Sequence, residues 1–258
     1  MERAEWLKKW QGMAEKLYDH CAPASWVKFS ENIDKKHRQF MEKFLGRLEP
    51  HSTILDAACG SGRFDGMILE AGHNVLGIDQ SAGMLAAARQ HYPLEKFPQL
   101  RYEKMALQEM EFQLAFDGII CMDAMEHIFP EDWPEIVQGF QKALKPGGVL
   151  YITVDGLKLP GDAEAYKRAQ AMGLPVVFGE IVDELDEVYD LAMGMDSMET
   201  PSIGYRLDLS VYHYHPILEQ VRKWYQVVGL SIEEVEEEKE GEGEGYVHVL
   251  ARKKMKLF

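Results

Sequence analysis

The sequence predicts a doubly wound α/β fold: a mostly parallel, seven-stranded sheet with N-terminal helices and a lid inserted after the fifth strand. Three observations carry this. Short apolar runs alternate with helical stretches between residues 53 and 154, the texture of strands buried on both faces of a parallel sheet. A glycine turn, Gly60-Ser61-Gly62, follows the first run, and an acid ends each of the first two, Asp56 and Asp79. The last residues read as a hairpin around an acidic Glu/Gly loop, an antiparallel closure of the sheet.

Residues 1–50 form an N-terminal helical cap, because Trp6, Trp10, Met13 and Leu17, then Phe40, Phe44 and Leu48, recur at three- and four-residue steps. Residues 51–155 form the α/β core. Its strands are Thr53–Asp56, Asn74–Asp79, Leu100–Met105, Phe116–Met122 and Val149–Val154, with helices near 63–71, 82–91 and 132–145 and a turn at Lys145-Pro146-Gly147-Gly148. Residues 156–214 are too long for a connection inside a compact α/β unit, and read as an inserted lid and substrate region. Within it, Ile181, Leu185, Val188 and Leu191 give 180–193 helical spacing, and 209–214 reads as extended. Residues 215–258 hold a helix at 216–228 and the closing hairpin, Ser231–Glu233 with Tyr246–Ala251.

Composition excludes several classes. At 258 residues and 46% hydrophobic, the chain can bury a large core, which rules out disordered and collagenous proteins. A net charge of −15 repels nucleic acid and anionic membranes, and the basic patches Lys35-Lys36-His37-Arg38 and Arg252-Lys253-Lys254 are small. Cys21, Cys59 and Cys121 stand far apart, which argues against a disulfide framework or zinc ribbon. The N-terminus is mixed in charge and no apolar run approaches the ~18 residues of a membrane span. The expectation is a cytoplasmic protein that binds neither nucleic acid nor membrane.

In a doubly wound sheet the ligand sits beyond the carboxyl ends of the strands, where the winding reverses. Gly60 and Gly62 allow a ligand close to the backbone, and Asp79 can accept two ribose hydroxyls. The dinucleotide fingerprint G-x-G-x-x-G/A fails, since its third position is Asp65. Asp56, at the mouth of the first strand, would repel a pyrophosphate but attract an amino group and a sulfonium. The physics prefers a cationic, phosphate-free adenosine ligand, S-adenosyl-L-methionine.

These segments resemble class I S-adenosylmethionine-dependent methyltransferases of the small-molecule type, such as ubiquinone-pathway O-methyltransferases, and imply their Rossmann-like sheet. Ile54–Phe64 is similar to the family's first motif, Gly77-Ile78-Asp79-Gln80-Ser81 to its ribose-binding strand end, and Met84–Arg89 to the helix that follows. Phe116-Asp117 to Met125-Glu126-His127-Ile128 resembles the fourth-strand motif, and Leu144–Gly148 the turn before the fifth strand. The resemblance covers about 50–155 and, loosely, the final hairpin. It implies cofactor contacts at Asp56, Ala58, Cys59, Gly60, Gly62, Asp79, Gln80, Met84, Met105, Ala106, Cys121 and Asp123, the last facing the methionine amino group. Tyr18, in Tyr18-Asp19, is similar to a family element that closes over the cofactor. Two positions depart: Ala58 replaces the loop's first glycine, and Met105 replaces an acid that faces adenine, leaving adenine to Met105 packing and to backbone groups of Met105-Ala106.

The implied reaction is methyl transfer to an oxygen or nitrogen of a small-molecule acceptor by in-line displacement. His127 is the first candidate base, because family members often carry histidine near the reacting methyl. His213 and His215, on one face of 209–214, stand behind it. Without a third ligand at diagnostic spacing no metal is assigned. Cys59 and Cys121 are packing residues rather than nucleophiles. The lid carries no Lys or Arg from 169 to 205 but has eight acids and Phe178, Tyr189 and Tyr205, so a neutral or amine acceptor suits it better than a carboxylate or phosphate. The alternative is a non-catalytic S-adenosylmethionine-binding protein acting through a partner, with a nicotinamide dehydrogenase third.

Overall fold

The computed structural model describes residues 1–25, 33–158, 160–184, 210–237 and 245–255. Its strands are β1 (Thr53–Ala57), β2 (Asn74–Asp79), β3 (Leu100–Lys104), β4 (Phe116–Cys121), β5 (Leu144–Asp155), β6 (Glu180–Glu184), β7 (Ser210–Tyr214), β8 (Leu230–Glu237) and β9 (Tyr246–Lys253). Its helices are α1 (Arg3–Trp10), α2 (Met13–Ser25), α3 (Lys35–Leu45), α4 (Asp65–Glu70), α5 (Ala82–His91), α6 (Trp133–Ala143), α7 (Gly161–Ala171) and α8 (Leu218–Val228). Seven strands form one sheet in the order β3-β2-β1-β4-β5-β9-β8. β1 to β5 run parallel, and β9 lies antiparallel between β5 and β8. β1 sits between β2 and β4, so the winding reverses there and a crevice opens beyond its carboxyl end.

Successive side chains of each strand go to opposite faces, and two hydrophobic cores result. Ile54, Ile120, Val149 and Tyr151 meet Phe40, Met41 and Phe44 of α3 on one face. Leu55, Ile119, Leu150 and Ile152 meet Trp133 and Phe140 of α6 and Tyr225 of α8 on the other. α3 starts at Asp34, whose carboxylate accepts the Lys36 and His37 amides at 2.8 and 2.9 Å. It lies across β5 and β9: Phe40 packs 4.9 Å from His248, and Phe44 6.3 Å from Tyr151. Lys36 and Lys43 pair with Glu236 and Glu234 of β8.

Two local expectations change. The helix expected at 180–193 is instead a strand over 180–184, paired antiparallel with β7; residues 185–209 lie outside the described residues. Glu180 gives the reason. Its side chain is fully buried, gripped by both terminal nitrogens of Arg3 at 2.6 Å and by the Tyr212 hydroxyl at 2.6 Å. A carboxylate so deep needs those partners, and α1 and β7 supply them from far away in the chain. The turn expected at Lys145–Gly148 is also drawn into β5, which starts at Leu144.

Candidate active site

A cavity of about 190 Å³ opens beyond the carboxyl ends of β1, β2 and β4. Of the residues expected there, Tyr18, Asp56, Ala58, Cys59, Gly60, Asp79, Gln80, Met84, Met105, Ala106, Asp123 and His127 line it. Gly62 and Cys121 do not. Gly62 serves the turn from behind: at φ +84° its Cβ would meet Asp65 Oδ2 at 2.8 Å and the Tyr102 hydroxyl at 2.9 Å. Cys121 is fully buried, because the alternation of β4 turns its side chain into the core.

The turn after β1 is built around Asp79. Its Oδ2 accepts the Gly60 amide at 2.9 Å and its Oδ1 the Ser81 amide at 2.8 Å, which joins the glycine turn to the end of β2. Ala58 takes the left-handed conformation (φ +62°) that the missing glycine would adopt freely. The Ser81 hydroxyl donates to Asp19 at 2.6 Å, and Asp19 also accepts the Gly83 amide at 2.8 Å. That pins α2 to the start of α5 and brings Tyr18 over the cavity.

Asp56 is 2% exposed and faces the fully buried Asp65, to which the Tyr102 hydroxyl donates. Burial, then the charges of Asp65 and Asp79, push the Asp56 carboxyl well above its usual range. Burial lifts Asp65 to about 6 and raises Asp79 as well. The backbone donors expected to hold adenine are already engaged: the Met105 amide donates to the Asp79 carbonyl at 3.0 Å, and the Ala106 amide to Glu109 at 2.8 Å. The wall there is Met105 and Leu107 side chains with Gln108.

Asp123, in a positive-φ conformation (+50°) just past β4, is clamped rather than open. Its Oδ1 accepts from His37 Nε2 at 2.9 Å and the Thr153 hydroxyl at 2.8 Å; its Oδ2 accepts from Arg63 at 2.6 Å. Burial opposes its charge, but His37 and Arg63 hold the carboxyl below its usual range. The three histidines separate. His127 Nδ1 faces the Tyr212 carbonyl at 3.4 Å, which assigns the proton to Nδ1 and leaves Nε2 to accept the Tyr18 hydroxyl at 2.6 Å. His213 lies behind it, ring centroids 4.9 Å apart, off the cavity lining. His215 is turned away onto Asp155 at 3.2 Å and Asp162 at 3.0 Å. Burial pushes His127 down to about 4 and His213 to about 3. Among the described residues no cluster of three His, Cys, Asp or Glu side chains could hold a metal ion.

Sequence reasoning passed over Arg63, Glu126 and Tyr246, which also line the cavity. Arg63 follows the glycine turn and Glu126 precedes His127, but only the fold shows that both reach the cavity wall. Four carboxyls, Asp56, Asp79, Asp123 and Glu126, face a wall whose arginine is already paired. Such a lining suits a cationic ligand and repels phosphate. Of the lid aromatics, Phe178 is exposed and packs edge-on against Tyr166 at 5.4 Å, while Tyr189 and Tyr205 lie outside the described residues. No helix among the described residues is long and apolar enough to cross a membrane.

Residues 54–148 match the family model described as a methyltransferase domain. The chain is 33% identical over 117 residues to a ubiquinone biosynthesis O-methyltransferase of Idiomarina loihiensis, covering 42% of this chain and 47% of that protein. It is 31% identical over 149 residues to the protein of the same name from Acinetobacter baylyi, covering 57% and 60%. The chain thus spans about half the length of these curated relatives. In fold it is similar to the magnesium protoporphyrin IX methyltransferase of Synechocystis PCC 6803 solved with bound S-adenosylhomocysteine, with a TM-score of 0.62 at 15% identity, covering 94% of this chain and 99% of that one.

Proposed function

We propose that this chain, which carries a methyltransferase domain of the class I S-adenosylmethionine-dependent type, transfers a methyl group to an oxygen or nitrogen of a small acceptor, neutral or amine. The observation that supports this best is the acidic cavity at the reversal of the winding, with Asp79 on one wall and Asp56 at the mouth of β1. Asp79 keeps lone pairs for the ribose hydroxyls beyond those given to Gly60 and Ser81. Asp56 would face the ammonium, and Met105 and Leu107 would pack on the adenine. S-adenosylmethionine, when bound, supplies a methyl group already activated by its positive sulfur. The chain then has to align the acceptor, exclude water and receive a proton. An acceptor with its own carboxylate or phosphate would meet the same acids and find Arg63 held by Asp123.

Two measurements test this reading. S-adenosylmethionine and S-adenosylhomocysteine raise the melting temperature while NAD does not, since a ligand selective for the native state stabilises it. A screen of amines, phenols and carboxylates then releases S-adenosylhomocysteine with amines or phenols. Stabilisation by NAD alone rejects the ligand, and turnover confined to carboxylates or phosphorylated compounds rejects the acceptor class.

A further inference from the structure

Among the described residues, two acids that line the cavity keep a buried oxygen without a protein partner, Oδ2 of Asp56 and Oε2 of Glu126; the other acids and the histidine are committed. Asp79 holds two backbone amides, Asp123 holds His37, Arg63 and Thr153, His127 holds Tyr18, and Asp56 faces Asp65. Asp56 already has a role, toward the ammonium, in the reading above, which leaves Glu126. It sits on the short 3-10 turn Met125–His127, is 5% exposed, and lines the cavity. Its Oε1 accepts from the Tyr246 hydroxyl at 3.2 Å, while its Oε2 is buried with no hydrogen-bond partner. A buried acid oxygen without a partner costs stability, and here it belongs to a residue that lines the cavity, which points to a ligand contact.

We infer that Glu126 is the catalytic base of this site, taking the proton from the acceptor atom that is methylated. The inference rests on the methyl-transfer reading above. As the acceptor's O–H or N–H bond breaks, its proton passes to Glu126 Oε2. The freed electron pair on that atom bonds the methyl carbon, and the methyl–sulfur bond breaks with its pair left on sulfur. The products are the methylated acceptor, the neutral thioether and a protonated Glu126, which returns its proton to water.

The surroundings suit this role. Asp123 from the loop after β4 and Asp155 from the end of β5 face Glu126 with negative charge; His37 and Arg63 stand behind the first, Lys158 and His215 behind the second. β9 contributes Tyr246, and β7 places His213 beyond His127. Burial, then Asp123 and Asp155, raises the Glu126 carboxyl to about 8. A base near 8 is matched to abstraction from a phenol or an ammonium at near-neutral pH. His127 near 4 and His213 near 3 are weaker bases, and Nε2 of His127 is filled by Tyr18.

Glu126→Gln keeps the shape and the Tyr246 contact but cannot accept a proton. With S-adenosylmethionine and an amine or phenol that turns over in the screen, kcat of the wild-type protein rises as pH passes through about 8. In the variant, kcat falls by about 10²–10⁴-fold and that rise disappears, the range for loss of a general base. The melting-temperature shift with S-adenosylhomocysteine is kept. A second arm needs no acceptor: in protein labelled with ¹³C at glutamate carboxyls, one resonance titrates near pH 8 and is missing from the variant. A variant with unchanged kcat and the same pH rise overturns the assignment, as does the absence of any glutamate titrating far above the usual range. If no acceptor turns over with the wild-type protein, the methyl-transfer reading fails and the base falls with it, whatever the titration shows.

Discussion

The hydroxyl of Tyr18 lies 2.6 Å from Nε2 of His127, and the two rings meet edge-on with centroids 5.3 Å apart. This contact joins α2 to the turn after β4 and closes one side of the cavity. With Nδ1 turned to the Tyr212 carbonyl, the imidazole is neutral and receives the phenol proton as a hydrogen bond. Tyr18→Phe removes a donor that favours the neutral ring, so the pKa of His127 rises from about 4. A neutral hydrogen bond worth ~1 kcal/mol makes the rise less than about one unit. NMR titration of the His127 ring in both proteins measures it; a fall on removing Tyr18 rejects the donor assignment.

Asp79 has two jobs, and its loss has two readouts. Asp79→Ala strips the acceptor from the amides of Gly60 and Ser81, which lowers stability without any ligand by about 1–3 kcal/mol. It also removes the ribose contact, weakening S-adenosylhomocysteine by on the order of 2–4 kcal/mol. Urea unfolding and calorimetry measure the two separately. A folded variant with wild-type affinity removes Asp79 from the ligand.

His37 gives the fold a pH dependence. Burial disfavours its charge, but Asp123 and Asp34 on two sides hold the imidazolium to about 9. The folded chain therefore keeps a proton that the unfolded chain releases near its ordinary value of ~6.5. The resulting stability is whole below that value and is lost as pH rises through about 9. On the order of 3 kcal/mol is at stake across this window. Urea midpoints of His37→Gln between pH 6.5 and 9 fall less steeply than those of the wild-type chain; parallel curves refute the pairing.

Asp65 stands where a dinucleotide-binding loop would have its third small residue, and after burial its charge is what most holds back the ionisation of Asp56. An ammonium arriving at Asp56 favours the carboxylate, so ligand binding releases a proton. Calorimetry with S-adenosylhomocysteine then shows an enthalpy that changes with the ionisation enthalpy of the buffer. In Asp65→Asn the neighbouring acid is gone, Asp56 ionises earlier, and the dependence shrinks. A buffer-independent enthalpy in the wild-type chain contradicts this.

What could be read from the sequence follows the range of the interactions. The parallel strands, the glycine turn and Asp79 are legible because each depends on neighbours within a few residues: an apolar run, a missing Cβ, an acid at a strand end. The segment at 180 is misread because Glu180-Ile181-Val182-Asp183-Glu184 becomes a strand only against 210–214, with Arg3 and Tyr212 neutralising Glu180. Asp123 is placed at the right wall, but its partner His37 lies 86 residues earlier and carries no local sign of burial. Glu126 reads as an ordinary acid beside a histidine until the fold surrounds it. The unpartnered oxygen that it brings to the cavity belongs to the tertiary structure alone.

Part of the seat of α3 is made from the far end of the chain. Lys36 is paired with Glu236, 200 residues later, and its helix rests on Tyr151 and His248 of adjacent strands. During synthesis at ~5–20 residues per second, that separation amounts to about 10–40 s between the emergence of the helix and of its partner. For that interval Phe40, Met41 and Phe44 can rest on β1, β4 and β5, but the helix lacks His248 beside Phe40 and the acids that pair with Lys36 and Lys43. An early helix therefore completes its docking last, and a ribosome stalled before residue 246 would present it seated on β1, β4 and β5 with one side of its seat still missing.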